Sequence, residues 1–341
     1  MKRKITLGII TTLICIFGSL FIQNYSGNWY QQPLAKIQKI EIKDNQQLIQ
    51  AIVVNGAAKG KEIALVAPYQ ENEIESVHLK KGNQVFYQGN EVMEKKRDGF
   101  VFFMVSLLLL TLLFVGGKTG LTTFISALLN SSALFFTIWF YREHASLSLI
   151  PMTMVYMFFS VAITLFLIDG IQKNSLQKFV ATIVTILTAF GICYFTMAIL
   201  QDKGLRFEDM GVLTRPYRPI YLASLLIGAI GASLDTVVTV ISTLEEIELR
   251  NNKVTLKQLI QSGKTVGNDI SGTMINVLIC SYFSSAIPVI LLYLFNGWSF
   301  GQTINMLLSL EAVRVLCGGF GILLSIPISL FFFAIGRRRI Q

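Results

Sequence analysis

The chain has 341 residues, 53% of them hydrophobic and 14% charged, with a formal net charge of +9. Soluble domains carry roughly 25% charged residues, so this composition excludes a soluble globular enzyme and reads as an integral membrane protein. The basic surplus sits at the ends of apolar segments, as membrane topology requires, and does not imply nucleic acid.

A bilayer core needs about 20 apolar residues per helix. The sequence predicts an α-helical polytopic membrane protein with about eight spans: 5–22, 99–116, 119–140, 147–168, 178–200, 219–242, 271–295 and 313–335. The first reads as an uncleaved anchor (1–23), because the residues after its apolar core make a poor signal-cleavage site. The Lys/Arg bias places both termini in the cytoplasm, with Lys2, Arg3, Lys118, Lys173, Lys178, Arg250, Lys257 and Arg337 to Arg339 inside. The short outer loops hold only Arg142, Lys203, Arg206, Arg215 and Arg218, and the long 24–98 segment does not count toward the bias.

Residues 24–98 form the one long loop. Within it, 36–90 alternates apolar and polar residues in short runs at 40–43, 48–54, 62–66 and 84–87, separated by Asn55-Gly56, Lys59-Gly60 and Lys81-Gly82 turn signals. This predicts a small extracytoplasmic β domain, a barrel or sandwich near the lower size limit for an independent core. Residues 99–341 make the membrane domain.

Chemistry-bearing residues concentrate in the last three spans. Gly228, Gly231, Asp235, Thr239, Ser242 and Glu246 recur at helical spacing and share one face of the sixth span. Asp269, Gly272, Thr273, Asn276, Cys280 and Ser284 repeat the pattern in the seventh, and Glu311, Arg314, Gly318, Gly321, Ser325 and Ser329 in the eighth. Small residues permit close helix approach, so Gly228, Gly231, Gly272, Gly318 and Gly321 are read as packing positions. Asp235 and Asn276 are costly at membrane depth unless they face protein, an ion or water. Asp235, Thr239, Asp269, Asn276, Glu311 and Arg314 are therefore the candidate substrate- or ion-binding residues. Asp269 also suits a helix cap, and Glu311 with Arg314 suits an i,i+3 ion pair. The four cysteines all fall in predicted spans, and His78 and His144 are far apart, so no disulfide framework, metal site or cofactor is expected.

Residues 302–335 are too long for one upright span, which predicts a segment lying at the outer face or a helix broken at Gly318-Gly319. Thr255-Leu-Lys-Gln258 resembles a capping box, and predicts a short interfacial helix between the sixth and seventh spans.

The run Gly228-Ala-Ile-Gly-Ala-Ser-Leu-Asp235, with Glu246, Val266-Gly-Asn-Asp-Ile-Ser-Gly-Thr-Met-Ile-Asn276, Pro288, Glu311-Ala-Val-Arg314, Gly318-Gly-Phe-Gly321 and Pro327, resembles the bacterial YibE/F-like membrane proteins. The resemblance runs from about Gly99, and Asn268 departs from it where a basic residue is expected. The leading anchor and the Asn55-Gly, Lys59-Gly, Lys81-Gly pattern resemble the YibE type, which carries an outer domain. The resemblance implies a hetero-oligomer with a shorter YibF-like paralogue in the bacterial cell membrane, and supplies no substrate. The residues themselves favour a transporter or permease component, with a polar path lined by the last three helices. An assembly or sensing protein acting through the outer domain is the alternative. An intramembrane aspartyl protease using Asp235 and Asp269 is a remote one.

Overall fold

The computed structural model describes residues 2–43, 45–69, 78–144, 147–170, 175–207, 216–251 and 253–338. Lys173, Arg215 and Arg339, counted in the charge bias above, lie outside the described residues. The chain divides into two compact units, Met1–Phe124 and Ile125–Gln341.

The first unit opens with α1 (Lys2–Tyr25) and a short 3₁₀ turn (Ser26–Trp29). Five strands follow: β1 (Leu34–Lys43), β2 (Gln46–Val53), β3 (Glu62–Pro68), β4 (Gln84–Gln88) and β5 (Glu91–Lys95). They close a barrel in the order β1-β2-β3-β5-β4, antiparallel throughout except for β3 against β5. This is the strand order of an OB-type barrel. The period-2 alternation sets its interior: Gln47, Ile49, Ala51 and Val53 of β2 point inward, and Ile49 and Ala51 pack with Ala35, Ile37, Leu65 and Val85. The four runs expected from alternation coincide with β1 to β4, with Val54 one residue past the end of β2. β5 was not anticipated, because Glu91-Val-Met-Glu-Lys95 is too polar to stand out.

Two side chains fasten the barrel to its helical stem. Asn55 accepts from Leu34 N at 2.8 Å and donates to the carbonyls of Gly27, Tyr30 and Gln32 at 2.9–3.2 Å, which satisfies a buried amide fully. Lys96 has a side chain only 1% exposed, and its ammonium donates to Ile22 O, Gln23 O and Gln84 Oε1 at 2.8–3.1 Å. Asp98 lies 3.4 Å away and accepts from Ser26 Oγ and Tyr30 Oη. Burial holds Lys96 below the ordinary lysine pKa, with Asp98 opposing. Burial first, then the hydrogen bond to Asp98, pushes Tyr30 up.

The next helix, α2 (Asp98–Glu143), has 46 residues and contains both the second and third predicted spans. It bends sharply at Gly117, whose φ of 56° and ψ of −124° lie outside helical space and suit glycine alone. The bend brings Gly120 against the Leu112 carbonyl, eight residues back, where no side chain fits.

The second unit is helical: the rest of α2, then α3 (Leu149–Ile168), α4 (Ser175–Ile199), α5 (Tyr217–Arg250), α6 (Leu256–Phe295) and α7 (Phe300–Arg338). Among the described residues six helices, α2 to α7, are long and apolar enough to cross a membrane, and α1 adds a shorter apolar stretch over Thr11–Tyr25. Met157 and Val161 of α3, Ile186 and Phe190 of α4, Leu225 and Ala229 of α5 and Cys317 of α7 form one core. Val237, Ile241 and Leu244 of α5, Leu259 of α6 and Phe333 of α7 form a second.

Two local expectations are corrected here. The capping box at Thr255 forms, with Gln258 N donating to Thr255 Oγ1, but it starts α6 itself and not a separate interfacial helix. Residues 300–338 form one helix without a break at Gly318-Gly319, so the extra length is carried as continuous helix. At 1.5 Å per residue its 39 residues reach about 58 Å, well beyond an apolar core of about 30 Å.

Candidate functional site

Close helix approach in the second unit is set by glycines on α5, α6 and α7. A Cβ at Gly321 would stand 2.5 Å from Ser233 Oγ, one at Gly318 2.8 Å from the Leu278 side chain, and one at Gly228 2.5 Å from the Tyr282 hydroxyl. Gly263 and Gly267 of α6 are as tightly met, by Leu330 and Ile326 of α7, and were not singled out from the sequence. Gly231 and Gly272 make no such contact: a Cβ at either meets no atom of the described residues within 4 Å. Spacing grouped Gly231 with Gly228 on α5, but only Gly228 meets a neighbouring helix.

The same division runs through the polar residues. On α6, Gly263, Gly267 and Ser271 are buried, whereas Asp269, Gly272, Thr273, Asn276 and Cys280 are exposed. At 100° per residue, Asn276 and Asp269 lie roughly opposite Met274, which meets Thr236 of α5 at 3.2 Å. On α5, Gly231, Asp235 and Thr239 are exposed, beside buried Ser233, Thr236 and Val240. Among the described residues, the carboxylates of Asp235 and Asp269 and the amide of Asn276 have no hydrogen-bond or ion-pair partner. Thr239 Oγ1 donates only to its own helix, to Asp235 O at 2.7 Å. The chain thus carries a polar outer surface along two apolar helices, with Asp235 near the middle of α5.

Glu311 and Arg314 are placed differently. They pair with each other through Oε1 and Nη1 and are both largely buried. The Arg314 guanidinium lies 5.3 Å from the centre of the Tyr221 ring, within cation–π range. Tyr221 Oη in turn donates to Leu310 O at 2.7 Å, tying α5 to α7. Glu311 Oε2 is buried with no partner among the described residues. A cavity of about 300 Å³ opens between the end of α4 and α7, lined mainly by apolar groups including Met197, Leu205, Val313 and Phe320. None of the six polar candidates lines it. Asp235 and Asn276 therefore face outward, while Glu311 and Arg314 are closed into the bundle.

A second polar cluster was not recognised from the sequence. Lys178 of α4 has a side chain 1% exposed, and its ammonium meets Asp169 Oδ2 at 2.5 Å, Glu245 Oε2 at 2.9 Å and Ser242 Oγ at 2.9 Å. It joins the end of α3, the start of α4 and α5. Nearby along α5, Glu248 Oε1 forms an ion pair with Arg337 Nε at 2.9 Å, and Arg337 Nη2 donates to Val254 O at 2.8 Å. The sequence signal was present, since Glu245 lies beside the stripe residues Ser242 and Glu246, but Lys178 was counted as a loop charge.

Comparison with curated proteins and with solved structures gives no match. A family model described as YibE/F-like protein matches residues 104–339, which is more than half of the chain. That stretch holds α3 to α7 with both polar faces and the Glu311–Arg314 pair, and on this match the chain belongs to the YibE/F-like protein family.

Proposed function

We propose that this chain is one subunit of a membrane transport complex, and that its polar path is completed by a second protein set against α5 and α6. The observation that supports this is the outward face bearing Asp235, Thr239, Asp269 and Asn276. A carboxylate near the centre of a membrane helix costs about 2.5–3.5 kcal/mol on insertion scales, and more without relief from water or lipid headgroups. Facing lipid, Asp235 would have no compensation. Facing a partner across a narrow polar seam, it would bind an ion or a polar substrate. The partner proposed is a shorter YibF-like paralogue with a related helical domain. The substrate class is a small ion or polar solute, since the seam offers carboxylates, hydroxyls and an amide.

In this reading the chain crosses the bacterial cell membrane eight times, with α2 counted as two crossings joined at Gly117 and both termini in the cytoplasm. The barrel then lies outside. Asp235→Asn tests the reading: the variant keeps the shape but loses the charge, so it should insert and assemble normally yet fail to complement a deletion. A fully active Asp235→Asn beside an inactive Asn276→Ala would remove the acid from the centre of the site.

A second reading, an assembly or sensing protein acting through its barrel, is favoured by the way Asn55 and Lys96 lock the barrel onto the stem. A ligand or partner pulling on the barrel would pull on α1 and α2. Under that reading deletion of residues 36–90 abolishes function while both membrane acids are replaceable. The protease reading has less support: Asp269 lies about 9 Å along α6 from the level of Asp235, and the two acids share no hydrogen bond among the described residues.

A further inference from the structure

The two Lys-Gly turns of the barrel border one cleft. Gly60 N donates to Val53 O at 2.9 Å, which pins the turn carrying Lys59 to the end of β2. Gly82 N donates to Ile37 O, and Ile37 N to Asn83 O, both at 2.9 Å, which pins the turn carrying Lys81 to β1. Both glycines have φ of +88°, so each turn is held in a conformation that other residues rarely adopt. Between the anchoring residues, Lys36 of β1 pairs with Ile52 of β2. The bulge at Gln38 shifts the register just beyond and turns this edge of the sheet.

The result is a cleft of about 630 Å³ bordered by Lys36, Lys59 and Lys81, with Ile52 and Val54 as an apolar floor. Among the described residues no carboxylate lines it. Glu62 stands on the same rung, one strand beyond Ile52, but pairs with none of the three lysines. Among the described residues the three ammonium groups form no ion pair, in contrast to Lys39, which Glu41 neutralises at 2.6 Å on the same strand. Three positive charges with no counter-charge among the described residues match a ligand with at least two negative charges. Lysine serves phosphate well as a point charge, because its ammonium donates in several directions.

The geometry points to a binding site on the barrel for a phosphate-bearing anion, held by Lys36, Lys59 and Lys81 over the Ile52–Val54 floor. The ligand is a polyphosphate in solution or the phosphate headgroup of a lipid. The apolar floor accommodates the uncharged part next to the phosphate.

The test uses the full chain in nanodiscs, in two arms. In zwitterionic nanodiscs, inorganic tripolyphosphate is titrated calorimetrically. In nanodiscs containing cardiolipin, whose headgroup carries two phosphates, protection of Lys59 and Lys81 from acetylation is read by mass spectrometry against the zwitterionic discs. Binding in the first arm identifies a soluble phosphate source, and protection in the second identifies a lipid headgroup. The positive arm should weaken at least about tenfold in a Lys36→Gln, Lys59→Gln, Lys81→Gln triple variant and hold in a Lys43→Gln, Lys95→Gln control. Should the triple variant unfold, the three single variants, each losing about threefold or more, carry the test. Silence in both arms, or an equal loss in the control, overturns the site.

Discussion

Thr236 of α5 and Met274 of α6 meet at 3.2 Å from hydroxyl to sulfur, and this contact fixes the depth at which Asp235 and Asn276 stand. The two helices run antiparallel, since Gly228 faces Tyr282 and Leu244 faces Gly263. Asp235 and Asn276 are thereby held one and two residues from the contact, at nearly one level in the bundle. Neither bonds to the other or to any described group of the chain. In the proposed complex the partners of this polar pair lie in the second protein.

Glycine substitutions separate internal packing from external docking. Gly321→Leu and Gly267→Leu should destabilise the isolated chain by about 1–3 kcal/mol, because a side chain there meets Ser233 or Ile326. Gly231→Leu and Gly272→Leu should leave the melting temperature of the purified chain unchanged, and should reduce only recovery of the complex. Thermal unfolding in detergent, beside co-purification, checks both. Equal destabilisation by all four would place Gly231 and Gly272 inside the fold.

Lys178 should be required for folding. Its removal as Lys178→Met leaves Asp169 and Glu245 facing each other without a cation, and breaking a buried pair costs about 3–5 kcal/mol. A Lys178→Met, Asp169→Asn, Glu245→Gln triple variant should recover most of that loss. Yield and thermal stability of the two variants measure it. No recovery would show that the cluster does more than neutralise itself.

The barrel stem should respond to pH through Lys96 and Tyr30. Lys96 has a folded pKa below its ordinary value of about 10.4, so the unfolded chain keeps this proton longer. Between the two values the unfolded state binds more protons and stability rises with pH. Tyr30 has its pKa raised above about 10, so beyond that pH the unfolded chain loses the proton first and stability falls. Relative to Lys96→Met, the wild type should therefore gain melting temperature toward pH 10. A constant difference from pH 7 to 10 would show that burial of this ammonium carries no linkage.

Helical spacing in the sequence told which residues share a face. It did not tell which way the face looks, because a seam between helices of one chain and a seam between two chains use the same small and polar residues. Gly228, Gly318 and Gly321 turned inward and Gly231 and Gly272 outward with no difference in local pattern. The barrel strands were legible because alternation is a period-2 signal with one buried face. Lys96 and Lys178 were not, because a lysine near a span end looks the same whether it anchors topology or is buried among carbonyls and carboxylates. Gly117 was visible only as the gap between two predicted spans, where the chain instead bends within one run of helical residues.

The most direct measurement is photo-crosslinking in native membranes from positions 235 and 276, with position 195 of α4 as a lipid-facing control, since Phe195 is an exposed apolar residue of the bundle. A photoreactive residue at 235 or 276 should give an adduct with a YibF-like family member, and the one at 195 should give lipid adducts only. Lipid adducts alone from all three positions would contradict the account, because Asp235 and Asn276 would then face the bilayer without a partner.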